Sequence, residues 1–153
     1  IAIHDTIEAS IRSFKLELNA KNIAYRSKLD RQLVYADPDG LKQVLHNLLK
    51  NAIIYDVGGW IEVEGKMIGS VYRVTVTNKG QPIPPEKMES IFDRFSRLDA
   101  SRSRETGGAG LGLSIVKEIV TRHGGEVGLH TSPEQIHAFW FTIPVSFRRT
   151  NDN

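Results

Sequence analysis

Thr106-Gly107-Gly108-Ala109-Gly110-Leu111-Gly112-Leu113 is a glycine-rich run that leads straight into an amphipathic helix whose apolar face carries Leu113, Val116, Ile119 and Val120. Glycines let a backbone approach a ligand closely, and a helix start presents unpaired N–H groups at the positive end of its dipole. Together they make a seat for phosphate. A plain hinge has the same composition, so motifs further upstream decide between the two readings.

The first of these lies on a helix opened by Asp37-Pro38-Asp39, with Asp37 as cap and Pro38 at the first helical position, where its missing N–H costs nothing. Leu41, Val44, Leu45, Leu48, Leu49 and Ala52 give this helix an apolar face up to about Tyr55. Asn47 and Asn51, four residues apart, share one side of it, next to the apolar stripe. A buried amide without partners costs on the order of 1–3 kcal/mol. Amide oxygens also suit a hard cation such as magnesium, which takes a few protein oxygens plus water and phosphate. The alternative is a pair of amides facing water. The second motif, Val76-Thr77-Asn78-Lys79-Gly80-Gln81-Pro82-Ile83-Pro84, ends a strand in a polar side chain and a glycine turn. A carboxamide there can read the amino group of a purine, with Gly80 leaving room for a flat ring and Ile83 covering its face. Otherwise it is a turn whose Asn and Gly serve the backbone alone.

The remaining elements place these motifs. Ile3, Ile7, Ile11, Phe14 and Leu18 predict one helix over 4–20, ended by Asn19 to Asn22. Two short β-prone stretches follow at 23–29 and 33–36, and Asp56-Val57-Gly58-Gly59 is expected to break the second helix. Strands 60–68 and 71–77 join at a Gly69-Ser70 hairpin turn, 85–95 reads as a short helix, and 96–109 as a polar, mobile loop. The third long helix stops at Gly124-Gly125, strands at 126–131 and 137–145 close the domain, and 148–153 is expected to fray. The expected architecture is α+β, a two-layer sandwich with a mixed, mostly antiparallel sheet packed on three main helices, over one domain at 1–147.

Composition narrows the classes. The 153 residues are 40% hydrophobic and 25% charged, with a net charge of +2 spread along the chain, which describes a mixed solvated surface rather than a nucleic-acid patch. Arg94, Arg97, Arg102 and Arg104 form one local excess just before the glycine run and are placed to meet phosphates. With no cysteine there is neither a disulfide framework nor a thiolate metal site. No apolar run reaches the ~20 residues that cross a bilayer, and the first residues do not read as a signal peptide.

Asn47-Leu48-Leu49-Lys50-Asn51-Ala52, Asn78-Lys79-Gly80, Ile91-Phe92-Asp93-Arg94-Phe95-Ser96-Arg97-Leu98-Asp99 and Gly108-Ala109-Gly110-Leu111-Gly112-Leu113, in that order, resemble the N, first glycine, F and second glycine boxes of sensor histidine kinases. The similarity spans about residues 3–145. It implies a Bergerat-type ATP-binding fold with a mobile lid, as in gyrase, heat-shock chaperones and mismatch-repair ATPases. Carried over by position, Asn51 resembles the magnesium-bridging asparagine and Asn47 its catalytic partner near the phosphates, with Lys50 and Tyr55 flanking the nucleotide. Asn78 takes the place that contacts the adenine amino group, with Gly80 and Ile83 shaping that pocket. Gly108, Gly110, Leu111, Gly112 and Leu113 line the phosphates, and Arg97 resembles the catalytic arginine that reaches the terminal one. Phe92 and Phe95 are expected to anchor the base of the lid.

The chain departs from the family pattern in ways that matter. Asn78 stands where an aspartate is usual, as in some sensors of the vancomycin-resistance type, and an amide loses the charge-assisted part of the bond. Pro82 replaces a common glycine, Ile54 stands where a phosphate-binding lysine is frequent, and Ala138-Phe139-Trp140-Phe141 lacks the usual Gly-Thr before it. A working but weaker ATP site is expected, which Asn78→Asp should not greatly impair. Hydrolytic relatives carry a glutamate where this chain has Asn47, so hydrolysis is expected to be slow, unless Glu62 or Glu64 compensates.

The resemblance also implies partners: ATP with magnesium, the histidine-bearing dimerisation helices of the same sensor, and a response regulator downstream. Nucleic acid and direct membrane contact are not expected, nor is oligomerisation of the isolated chain. No His-Glu-Leu-x-Thr-Pro segment occurs, and His4, His46, His123, His130 and His137 are expected to be structural or superficial. The chain therefore reads as the cytoplasmic catalytic part of a membrane-bound bacterial sensor, holding the phosphoryl donor and not the acceptor. A serine kinase of the anti-sigma-factor type and a nucleotide-sensing module without catalysis are the competing readings.

Overall fold

The computed structural model describes residues 1–93 and 112–146. The readings made for the loop at 96–109, the arginine cluster and the tail fall outside that range. Among the described residues four helices and five strands follow in the order α1 (Ile3–Ser13), α2 (Lys15–Ala20), β1 (Ala24–Leu29), α3 (Pro38–Tyr55), β2 (Asp56–Ile68), β3 (Val71–Gly80), α4 (Gly112–Arg122), β4 (Val127–Thr131) and β5 (Ile136–Pro144).

The sheet order is β1-β2-β3-β5-β4. Only the β1–β2 pair is parallel. A parallel pair needs a crossover, and α3 supplies it. One face of the sheet is covered by helices. Ile61 and Val63 of β2, Tyr72, Val74 and Val76 of β3, and Phe139, Phe141 and Ile143 of β5 are buried in a single core with the apolar faces of α1, α3 and α4. The two-layer α+β architecture with three main helices is thus present, and α3 runs through its centre.

α3 forms where capping and periodicity placed it. The Asp37 carboxylate accepts the Gly40 N–H at 3.2 Å, Pro38 sits in the first turn, and all six apolar residues singled out on this helix are buried. At its other end Lys21 donates from Nζ to the carbonyls of Ile53 and Ile54, a cation at the negative end of the helix. Gly124, at φ +81°, closes α4 as expected.

Four expectations need correction. The first helix is broken at Phe14 into α1 and α2, where Ser13 Oγ bonds back to Ser10 O at 2.6 Å and the Phe14 ring packs edge-on against His46. Residues 33–36 make no strand, only an isolated bridge between Ala2 and Leu33. Asp56–Gly59 ends α3 as expected, but β2 begins there and not at 60, with a bulge: the register with β3 shifts between Asp56 and Ile61, Gly59 takes φ +79°, and Asp56 Oδ2 accepts the Gly59 N–H. Residues 85–93 form a 3-10 turn at Pro85–Lys87 followed by turns, not a helix.

Candidate functional site

Three motifs far apart in the chain meet along the second half of α3. Asn47 Nδ2 donates to the carbonyl of Gly112, the first residue of α4, at 3.3 Å. Asn78 Nδ2, at the end of β3, donates to the carbonyl of Ala52 at 3.4 Å, next to Asn51 on α3. Gly80 follows, with the Tyr55 carbonyl 3.3 Å from where a Cβ on Gly80 would stand. The helical period that puts Asn47 and Asn51 on one side also puts the Ala52 and Tyr55 carbonyls within reach of β3.

Burial separates the members of this group. Asn78 is 3% exposed, Asn47, Asn51 and Tyr55 are half-buried, and Lys50 is exposed. Asn78 Nδ2 also donates to Lys79 O at 3.4 Å. Both partners are carbonyls, so the nitrogen of the carboxamide faces them, which leaves Oδ1 as its acceptor atom. An acceptor-only group recognises a donor such as an exocyclic amine. Ile83 and Leu113 are members of the core. Ile91 and Phe92 are buried as anchors, Phe92 edge-on against Phe139 of β5. Arg97, Gly108, Gly110, Leu111 and Phe95 lie outside the described residues.

Gly80 sits in a tight place for a reason the sequence did not show. The space beside its Cα is filled by His137, whose Cδ2 would stand 3.0 Å from a Cβ there, and not by room for a ring. His137 itself, expected from sequence to be structural or superficial, is 3% exposed and bonded at both ring nitrogens. Strand alternation was the signal: β5 turns His137, Phe139, Phe141 and Ile143 to one side, and only the first is polar.

The donor set suits a hard cation. Asn47 and Asn51, four residues apart on α3, carry amide oxygens of the kind a hard cation takes, and no group of three or more His, Cys, Asp or Glu residues is arranged for a metal among the described residues. A separate cleft of about 410 Å³ opens at the opposite end of α3, lined by Asp37, Asp39, Gly40, Gln43, Ile119, Arg122 and His123. Its two carboxylates repel phosphate, and His123 Nε2 is taken by the Asp37 N–H.

Residues 36–146 match the family described as histidine kinase-, DNA gyrase B-, and HSP90-like ATPase. Among curated proteins, the chain is 45% identical over 95 residues to the sensor protein VanS of Enterococcus faecium, covering 61% of this chain and 24% of that protein. It is 36% identical over 141 residues to the sensor protein kinase WalK of Staphylococcus epidermidis, covering 89% of this chain and 23% of that protein. The chain thus spans less than two thirds of these relatives. Among solved structures, the catalytic domain of the histidine kinase ThkA superposes with a TM-score of 0.79 at 31% identity, covering 95% of this chain and 94% of that one. The mycobacterial sensor histidine kinase MprB gives 0.83 at 26%, covering 97% and 99%.

Proposed function

The chain belongs to the histidine kinase-, DNA gyrase B-, and HSP90-like ATPase family, and on that premise we propose that it is the catalytic domain of a two-component sensor histidine kinase, donating the γ-phosphoryl group of ATP to a histidine on separate helices of the same sensor. A response regulator receives the group next, and the sensor as a whole is anchored at a bacterial membrane with this domain on the cytoplasmic side. Among the described residues no helix is long and apolar enough to cross a membrane.

One observation carries the reading: α3 holds both the start of α4, through Asn47, and the end of β3, through the Ala52 carbonyl, on one stretch of helix. A triphosphate bound along that stretch has its base at Asn78 and its phosphates at Gly112. Asn78 Oδ1 accepts from the adenine amino group. Asn47 and Asn51 face the phosphates, and the N–H groups at the start of α4 bind anionic oxygen. Asn51 would hold magnesium through its amide oxygen, with Asn47 beside it; when bound, the ion supplies positive charge that offsets the triphosphate. Lys50 and Tyr55 flank the nucleotide, and Arg97, from the segment before α4, stabilises charge on the terminal phosphate. Gly108, Gly110, Leu111 and the backbone at Gly112 and Leu113 complete the phosphate side, and Gly80 and Ile83 support the base.

The test has two stages. Calorimetry of the chain with ATP, with and without magnesium, is expected to show one magnesium-dependent site. Labelled ATP is then supplied with a histidine-bearing helical hairpin in trans. Label on the histidine is the expected result; label on serine of an antagonist protein, or binding without transfer, replaces the proposal with one of the competing readings.

A further inference from the structure

The turn that carries the purine-reading amide is held from behind by β5 and the hairpin that leads into it. The Gly80 N–H donates to the Gln135 carbonyl at 3.1 Å, and His137 Nε2 lies 2.7 Å from the Gln81 carbonyl. A carbonyl only accepts, so Nε2 carries a proton; in the neutral ring Nδ1 is then the acceptor, and Thr131 Oγ1 donates to it across 2.9 Å. Both ends of the imidazole are committed, and Gly80 packs against its edge.

Two further facts separate this arrangement from ordinary packing. The inward faces of β3 and β5 are otherwise apolar along their paired length except for the hydroxyl of Tyr72, and the polar pair Asn78 and His137 stands directly opposite in register at the site end. A buried imidazole needs partners that a Val or Phe would not, so its presence there has a stability cost. Gln135, whose carbonyl accepts from the Gly80 N–H, takes φ +66°, a left-handed conformation that is strained for a residue with a side chain. Strain and a buried polar group converge on one turn.

We infer that His137 is a positioning residue for the base of the nucleotide: by holding the Gln81 carbonyl it sets the path of the chain between Asn78 and Ile83, and with it the place of Asn78 Oδ1 against the purine amino group. The inference rests on the ATP reading above. His137 touches neither base nor phosphate; it acts through the turn.

The test compares wild type with His137→Gln and His137→Asn. A glutamine amide reaches roughly where Nε2 stands and keeps the bond to Gln81, whereas an asparagine amide keeps the Thr131 side and releases Gln81. Affinity is measured by calorimetry for ATP and for purine riboside triphosphate, which lacks the 6-amino group, with thermal unfolding recorded for each variant. Loss of one hydrogen bond predicts that His137→Asn binds ATP roughly 10-fold more weakly while His137→Gln stays within about 3-fold of wild type. The preference for ATP over the amino-less analogue shrinks in His137→Asn and persists in His137→Gln. Equal ATP binding by all three proteins overturns the inference, as does a loss in His137→Asn that lowers both ligands by the same factor. A wild type that binds ATP without preferring the 6-amino purine overturns it too, leaving the ATP reading in place. A wild type that binds no ATP overturns both.

Discussion

Asn78 is the residue at which family pattern and local geometry part. From sequence it is an aspartate position filled by an amide, and restoring the acid looks harmless. In the fold its nitrogen faces the carbonyls of Ala52 and Lys79, and a carboxylate oxygen would meet both at 3.4 Å in a site 3% exposed. Asn78→Asp is therefore expected to weaken ATP binding roughly tenfold and to destabilise the fold by about 1–3 kcal/mol, the cost of leaving buried polar atoms badly matched. Calorimetry together with urea unfolding checks it, and unchanged affinity would show that the turn relaxes around the acid. Sequence reports the identity of a side chain and not the carbonyls it meets, which is why this expectation reverses. Tyr72 makes the same point away from the site. Its hydroxyl donates to Asp30 O at 2.8 Å, and burial first, then the nearby Asp30 carboxylate, pushes it up from 10.0 to about 12. The unfolded chain loses that proton near pH 10 and the folded one near 12, so the stabilisation is complete below 10 and is lost as pH rises through the window to 12. Tyr72→Phe is expected to cost about 1 kcal/mol at neutral pH and to flatten the pH dependence between those limits, seen by urea unfolding at a series of alkaline pH values.

At the scale of elements, α3 was legible in full because its signals are local: a cap, a proline in the first turn, and a periodic apolar face. The first helix was legible as a face but not as a break, since Ile3, Ile7, Ile11 and Leu18 are all buried on either side of Phe14. At the break Phe14 packs against His46 of α3, a contact 32 residues further along the chain that local periodicity does not report. Residues 85–93 failed in the other direction. Ile91 and Phe92 are buried not on a helix face but as anchors of a turn that reaches β5. The meeting of α3 with α4 and β3 was implied by family resemblance alone, and Asn47 is the link that tests it. Asn47→Ala removes the tie to Gly112 and is expected to cost about 1 kcal/mol in stability while lowering ATP affinity by more than 10-fold. A comparable loss of stability with full ATP binding would reduce Asn47 to a helix-packing residue.

For the whole molecule the two faces of the sheet decide what can react with bound nucleotide. Helices cover one face, and the candidate site lies on that side, with α3. Along β2, Ile61 and Val63 turn toward the helices, so Glu62 and Glu64 turn away. Glu62 is paired there with Arg26 at 3.0 Å, and Glu64 is exposed. Neither carboxylate can reach a water beside a phosphate on the helical side, and position 47 offers an amide that does not take up a proton. Sequence named both glutamates as possible bases; strand alternation within a sheet of known order removes them. Hydrolysis by the chain alone is therefore expected to stay well below about 1 s⁻¹, the low end of ordinary turnover numbers. Phosphate release measured with purified protein, magnesium and saturating ATP gives the rate, and Glu62→Gln and Glu64→Gln should leave it unchanged. If either variant abolishes a measurable rate, the carboxylate reaches the nucleotide, and the assignment of the site to the helical face of the sheet is wrong.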